Sequence, residues 1–249
     1  MMQRKLPRFD CFAAGAPSAW RCRATAAAAL LTAGCRSGRP DPRSSQRYEE
    51  RTDVRGAIKR MIHESRYWKD DLLKFAASLE RRLIQKRWYD GTFADVEKTV
   101  MLGFYAIRKL TEAHKLDDKT SGQSVAVTVY PATGKFVTRT NWHHWWELYD
   151  MEGPWKAKVQ LTPLCHQFVH SYVFSCAFDE TRAFESVLVS SDRDRNRLLY
   201  SVPVAEVIRV FRRVGKNYPN FYHSEFNESK GDYDVVIKTA KHGEVSVRG

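Results

Sequence analysis

The sequence predicts a mostly helical α+β domain, a helical bundle with β-hairpin insertions, behind a basic tail at residues 1–48. Three observations lead there. Apolar residues recur at three- and four-residue steps through several long stretches, the repeat of helices with one buried face. The repeat drops to two in short runs bounded by turn residues, the pattern of hairpins. The resulting order, α-α-β-β-α-α-β-β-α, lacks the strict βαβ alternation of a doubly wound sheet, so a bundle with hairpins fits better. Residues 49–249 are read as one domain, since about 200 residues suffice for one core.

The tail comes first. The chain carries 41 Lys and Arg against 29 Asp and Glu, a formal charge of +12. Residues 1–48 hold nine of the basic residues and only two Asp, which leaves the body mildly basic at +5. Charge alone is therefore a weak argument for nucleic acid. Two readings of the tail stay open. An Arg-, Ala-, Gly- and Pro-rich stretch fits a disordered segment or an over-extended reading frame. Alternatively, Arg21 and Arg23 precede the Ala-rich run 24–34, and Leu31, Thr32, Ala33, Gly34 and Cys35 fit a lipoprotein cleavage box. Against that second reading, its positive region is long and interrupted by Phe12, Pro17 and Trp20. No stretch approaches the roughly 18 apolar residues of a membrane helix. The expectation is a cytoplasmic protein with no membrane contact and reduced thiols at Cys11, Cys22, Cys35, Cys165 and Cys176.

In the body, Ile58, Met61, Ile62, Leu72, Phe75, Leu79 and Leu83 mark one or two amphipathic helices within 53–87. Asp90 and Gly91 break the run, and Thr92 is positioned to cap a helix that continues to about Leu116. Val125, Val127 and Val129 alternate before a turn at 130–134, and 136–138 is the expected return strand. Residues 142–149 and 161–176 read as helices, which puts Cys165 and Cys176 about 16 Å apart on the latter. A second hairpin joins 186–189 to 198–202, Pro203 opens a helix ending near Gly215, and 234–237 with 245–247 is read as a last hairpin or sheet edge.

Several motif fragments carry no chemistry. Thr133, Gly134 and Lys135 end like a phosphate loop but lack the upstream Gly and a following helix. Asp192, Asp194 and Asn196 mimic the start of a calcium loop, yet Arg197 replaces its Gly and Pro203 its bidentate Glu. Asn227-Glu228-Ser229 is a chance sequon. Trp142, Trp145, Trp146 and Tyr149 share one face at helical spacing and read as a buried stripe before a base-stacking platform. His143 and His144 beside them read as polar-face residues.

One constellation remains. Within 161–176 the apolar residues cover one broad arc, and His166 and His170 fall together, one turn apart, beyond its edge. Two readings come from the residues themselves, an inert exposed pair or two metal ligands at i and i+4, and a third rests on a resemblance. The metal reading lacks a third ligand and an acidic base between the histidines.

The run Leu164, Cys165, His166, Gln167, Phe168, Val169, His170, Ser171, Tyr172 is similar to the signature helix of the HEPN superfamily. The segment 105–113, which contains Arg108, resembles an early helix of the same family, and together they span about a third of the body. The chain is thus identified as a degenerate HEPN-like member, otherwise resembling bacterial proteins. The resemblance implies a HEPN-like helical bundle, metal-independent RNA cleavage without a cofactor, a homodimer, and a toxin- or defence-type effector with a cognate protein partner. It implies that His170 transfers protons. His166 stands where the family often has Asn, and Cys165 where it has Arg. A thiol cannot supply the fixed forked charge of a guanidinium. Arg108 can take that role if the fold brings it to His170. The alternative is a non-catalytic interaction module that has lost its active-site Arg.

Overall fold

A computed structural model describes residues 62–239. The tail, with Cys35, lies outside them, as do Ile58, Met61 and the segment 245–247. Within the described residues, the helical repeat expected up to Leu116 forms two long helices. α1 (Ser65–Leu83) is capped by the Glu64 carboxylate, which accepts the Arg66 N–H at 2.8 Å, and it buries Leu72, Ala76 and Leu79. α2 (Asp90–Glu112) buries Val96, Val100, Phe104, Ile107 and Leu110 along one stripe. Its N-cap is Tyr89, without a side-chain cap bond, and Thr92 is buried in the first turn instead of capping it.

A short α3 (Asp118–Ser121) leads into β1 (Ser124–Pro131). After the single turn α4 (Trp145–Leu148) come β2 (Trp155–Gln160) and α5 (Leu161–Val169). Three strands follow, β3 (Ser171–Phe178), β4 (Phe184–Ser191) and β5 (Leu198–Pro203), and then α6 (Val204–Gly215). The last elements are β6 (Phe221–Asn227) and β7 (Asp232–Lys238), which pair with each other alone.

The strands overturn the helical bundle. β2-β1-β5-β4-β3 form one five-stranded sheet, antiparallel throughout, and the helices pack on it. Val125, Val127 and Val129 of β1, Val187 and Val189 of β4 and Val202 of β5 share a core with residues of α1, α2, α5 and α6. Each such side chain, fully buried, contributes roughly 1.5–3 kcal/mol. α2 and α6 approach so closely that a Cβ on Gly103 would lie 2.1 Å from the Phe211 ring, so that position requires glycine. A smaller cluster, with Trp145, Leu148, Tyr149, Val173, Leu188 and Leu199, covers part of the opposite sheet face.

Three local expectations change with it, and a further pairing is added. The partner of β1 is β2, paired Val125 to Val159 and Val127 to Ala157, and not 136–138. That segment makes no strand, and the Val137 N–H is taken by the Asn196 side chain at 2.8 Å. The predicted helix 161–176 stops at Val169, and β3 begins one residue after His170. Its sequence is apolar at nearly every position, so a period of 3.6 and a period of two fit it equally. Cys165 and Cys176 therefore sit on different elements, both as free thiols. The helix at 142–149 shrinks to four residues, and the strand at 234–237 pairs with β6, which the sequence reading missed. The β4–β5 hairpin and α6, with Pro203 at its N-cap, agree with expectation. Among the described residues no helix is long and apolar enough to cross a membrane.

Candidate functional site

α5 ends where the sequence runs from an apolar helix into a strand, and that junction carries both histidines. His170 is the C-cap, and its N–H donates to the His166 carbonyl at 3.1 Å. The two rings lie on the same side, centroids 4.6 Å apart, with His166 half-buried and His170 exposed. α2 packs alongside and brings Arg108, 62 positions away in sequence, to the same place. Its Nη1 donates to His170 Nε2 at 3.0 Å. That bond needs the lone pair of a neutral imidazole, with the proton on Nδ1.

Arg108 is itself held. Its Nε donates to Glu112 Oε1 at 2.7 Å, one turn on along α2, while Lys109 donates to Glu112 Oε2 at 3.0 Å. These two bonds hold the Glu112 carboxyl below the usual range. Two of the five guanidinium donors are thus fixed, and the plane of the fork with them.

The third wall is the tip of the β4–β5 hairpin. The buried Gln167 of α5 fastens it, donating to Asp194 Oδ2 at 2.7 Å and accepting the Ser191 N–H at 2.9 Å. Asp192 N–H donates to the His170 carbonyl at 2.9 Å. A bulge at the start of β3 turns Tyr172 under the guanidinium of Arg195, 4.1 Å from its ring centroid. Tyr149 adds a bond of 2.6 Å to the Arg195 carbonyl.

The electrostatics follow from this packing. Burial lowers the pKa of His166, and the charges of Arg108 and Arg193 lower it further against the opposing Asp194. His166 is therefore neutral at pH 7. The positive charge here comes from side chains, because a helix C-terminus presents carbonyls and repels anions. Cys165, which the sequence places where the family has Arg, is buried, and burial pushes its thiol up to about 12. It remains a neutral thiol inside the core.

Arg108, His166 and His170 thus meet, whereas Cys165 faces inward. Sequence reasoning missed Glu112, Gln167 and Arg193. Glu112 was readable as the i+4 partner of Arg108, but no local pattern marks Gln167 or Arg193. Among the described residues no group of three or more His, Cys, Asp and Glu side chains is arranged to hold a metal. Of the aromatic stripe, Trp145 and Tyr149 are buried and Trp146 is partly buried, but Trp142 stands exposed. Compared with protein-family models, curated proteins and solved structures, the chain has no match.

Proposed function

We propose that the Arg108–His166–His170 cluster binds the phosphodiester backbone of RNA and cleaves it without a metal. The observation that carries this reading is the 3.0 Å contact of a fixed guanidinium with one of two adjacent imidazoles. That is the minimum equipment for the reaction: a charge for the phosphate oxygens and two groups that exchange protons. The neutral His166 takes the proton of a ribose 2′-hydroxyl, and the 2′-oxygen attacks the adjacent phosphorus. The bond from phosphorus to the 5′-oxygen breaks, and that oxygen receives a proton from His170, which takes up its imidazolium proton once the Arg108 guanidinium has turned from Nε2 to the phosphate. The products are a 2′,3′-cyclic phosphate and a 5′-hydroxyl. Arg108 stabilises the charge that grows on the non-bridging oxygens, and Arg193 adds to the field.

The likeness of 164–172 to the HEPN signature supports the same chemistry at the level of residues, although the architecture is a sheet covered by helices. In this reading the protein is a bacterial effector of the toxin or defence type, with RNA as its substrate and a cognate protein as its restraint. It acts alone or as a homodimer.

Single-stranded RNA incubated with the full chain in EDTA tests the proposal. His170→Ala abolishes cleavage while leaving the fold intact, because an exposed histidine contributes little to stability. Arg108→Gln lowers the rate by about 10²–10³, the usual effect of removing one preorganised donor. RNA binding without cleavage supports the interaction-module reading instead. Cleavage that EDTA abolishes replaces the mechanism with one in which His166 and His170 are metal ligands.

A further inference from the structure

A second feature lies beside the other end of α2. α2 meets the two ends of β3 in reverse order. At one end Arg108 meets His170, and at the other Phe93 lies 6.1 Å from Phe178, centroid to centroid. β3 is the outermost strand of its sheet, so its free edge is open between the helix layer and the loop before α4. A cavity of about 230 Å³ opens at that edge. Phe93 and Glu97 of α2, Trp142 and His143 of the loop, and Ser175 and Cys176 of β3 line it.

Its distance from the Arg–His cluster follows approximately from the rise of each element. Glu97 stands eleven residues before Arg108 on α2, roughly 16 Å at the helical rise. Ser175 stands on β3 five residues after His170, the residue that precedes the strand, roughly 17 Å at the strand rise. The two agree, so a strand of a few nucleotides spans the distance from cavity to cluster.

The cavity is smaller than the roughly 300–1,000 Å³ of sites that hold drug-sized ligands, so it suits a single planar ring system. Phe93 and Trp142 each keep 38% of their surface exposed, which leaves aromatic area for a base to stack on. Glu97 contributes a carboxylate, which accepts hydrogen bonds and donates none when ionised. Among the four RNA bases, only guanine presents two adjacent donors, N1–H and N2–H, on its Watson–Crick edge. Adenine, cytosine and uracil each offer one donor beside an acceptor, and an acceptor facing a carboxylate oxygen is repelled.

Resting on the RNA reading above, we infer that this cavity is a guanine-binding subsite, Trp142 and Phe93 stacking the base and Glu97 accepting from its N1–H and N2–H. The cluster then acts on a phosphate a few nucleotides away, and the chain selects its cut by a base it does not cleave beside.

Calorimetric titration of the full chain with GMP, AMP, CMP and UMP tests this, because the shared phosphate cancels. GMP binds roughly tenfold or more tightly than the others, the scale of one bidentate base contact. Glu97→Gln, a surface change that leaves the fold intact, removes the preference, and Trp142→Leu weakens all four nucleotides. Equal affinity for the four overturns the inference, as does a preference that survives Glu97→Gln. Two oligonucleotides, one containing guanine and one with adenine at each of those positions, separate this failure from that of the parent reading. Equal binding and cleavage of both refutes the subsite and leaves RNA cleavage standing. A chain that binds neither oligonucleotide yet prefers GMP refutes the RNA reading and keeps the subsite.

Discussion

Gln167→Leu removes the amide that fastens the β4–β5 hairpin tip to α5, at nearly constant volume. The side chain is 5% exposed and makes two bonds, one to the Asp194 carboxylate and one from the Ser191 N–H. Losing a hydrogen bond to a charged group costs about 1.5–3 kcal/mol, and orphaning a buried N–H costs about 1–3 kcal/mol. The tip keeps its own turn, because Asp194 N–H still donates to Ser191 O and Arg197 N–H to Asp194 O. It shifts as a body instead of unravelling. A net loss of about 3 kcal/mol in a domain this size lowers Tm by roughly 6–12 °C. Cleavage measured well below that Tm also falls, because Arg193 and the Asp192 bond to His170 move with the tip. Urea unfolding read by tryptophan fluorescence, with a parallel cleavage assay, measures both effects. Stability unchanged within about 0.5 kcal/mol refutes the fastening role. Lost stability with undiminished cleavage refutes the hairpin as a wall of the site.

Trp145→Ala costs about 3–5 kcal/mol, because the ring is 5% exposed in the smaller core cluster, whereas Trp142→Ala costs far less, and thermal melts of the two variants check the order. Lys69 is buried, donates to the Lys115 carbonyl at 3.0 Å and lies 4.3 Å from the Tyr218 ring centroid. Burial, with the nearby Lys115 charge, lowers its pKa from 10.5 to about 8. The unfolded chain therefore binds the proton that the folded chain lacks between about pH 8 and 10.5, and the contribution of Lys69 to stability rises with pH across that window. Relative to Lys69→Met, the native protein gains at most about 3 kcal/mol from pH 7 to pH 10.5, less where water reaches the ammonium. Parallel melts that stay a constant distance apart across that range rule out the shift. The acid limb of the cleavage rate falls below the ordinary histidine pKa of 6.5, since His166 must be neutral to act as base, and a pH–rate profile locates it.

The sequence by itself determined the elements whose signals are local. α1, α2 and α6 each bury one stripe at helical spacing, and the β4–β5 hairpin is two alternating runs around a polar turn, so neighbours along the chain suffice to specify them. It also put His166 and His170 one turn apart, off the apolar arc. What the tertiary structure decided is pairing. Whether β1 meets 136–138 or β2 depends on which segment completes the sheet, and Trp155, Ala157 and Val159 offered the same alternation 30 residues on. Whether 171–178 continues α5 or becomes β3 depends on β4 lying beside it, because an evenly apolar run buries equally well in either form. Arg108 reaches His170 only because α2 packs against α5, and Gln167 acquires a role only because a hairpin tip folds onto it. Local propensity is encoded residue by residue, whereas a site built across 62 positions exists only when the core that joins its walls has closed.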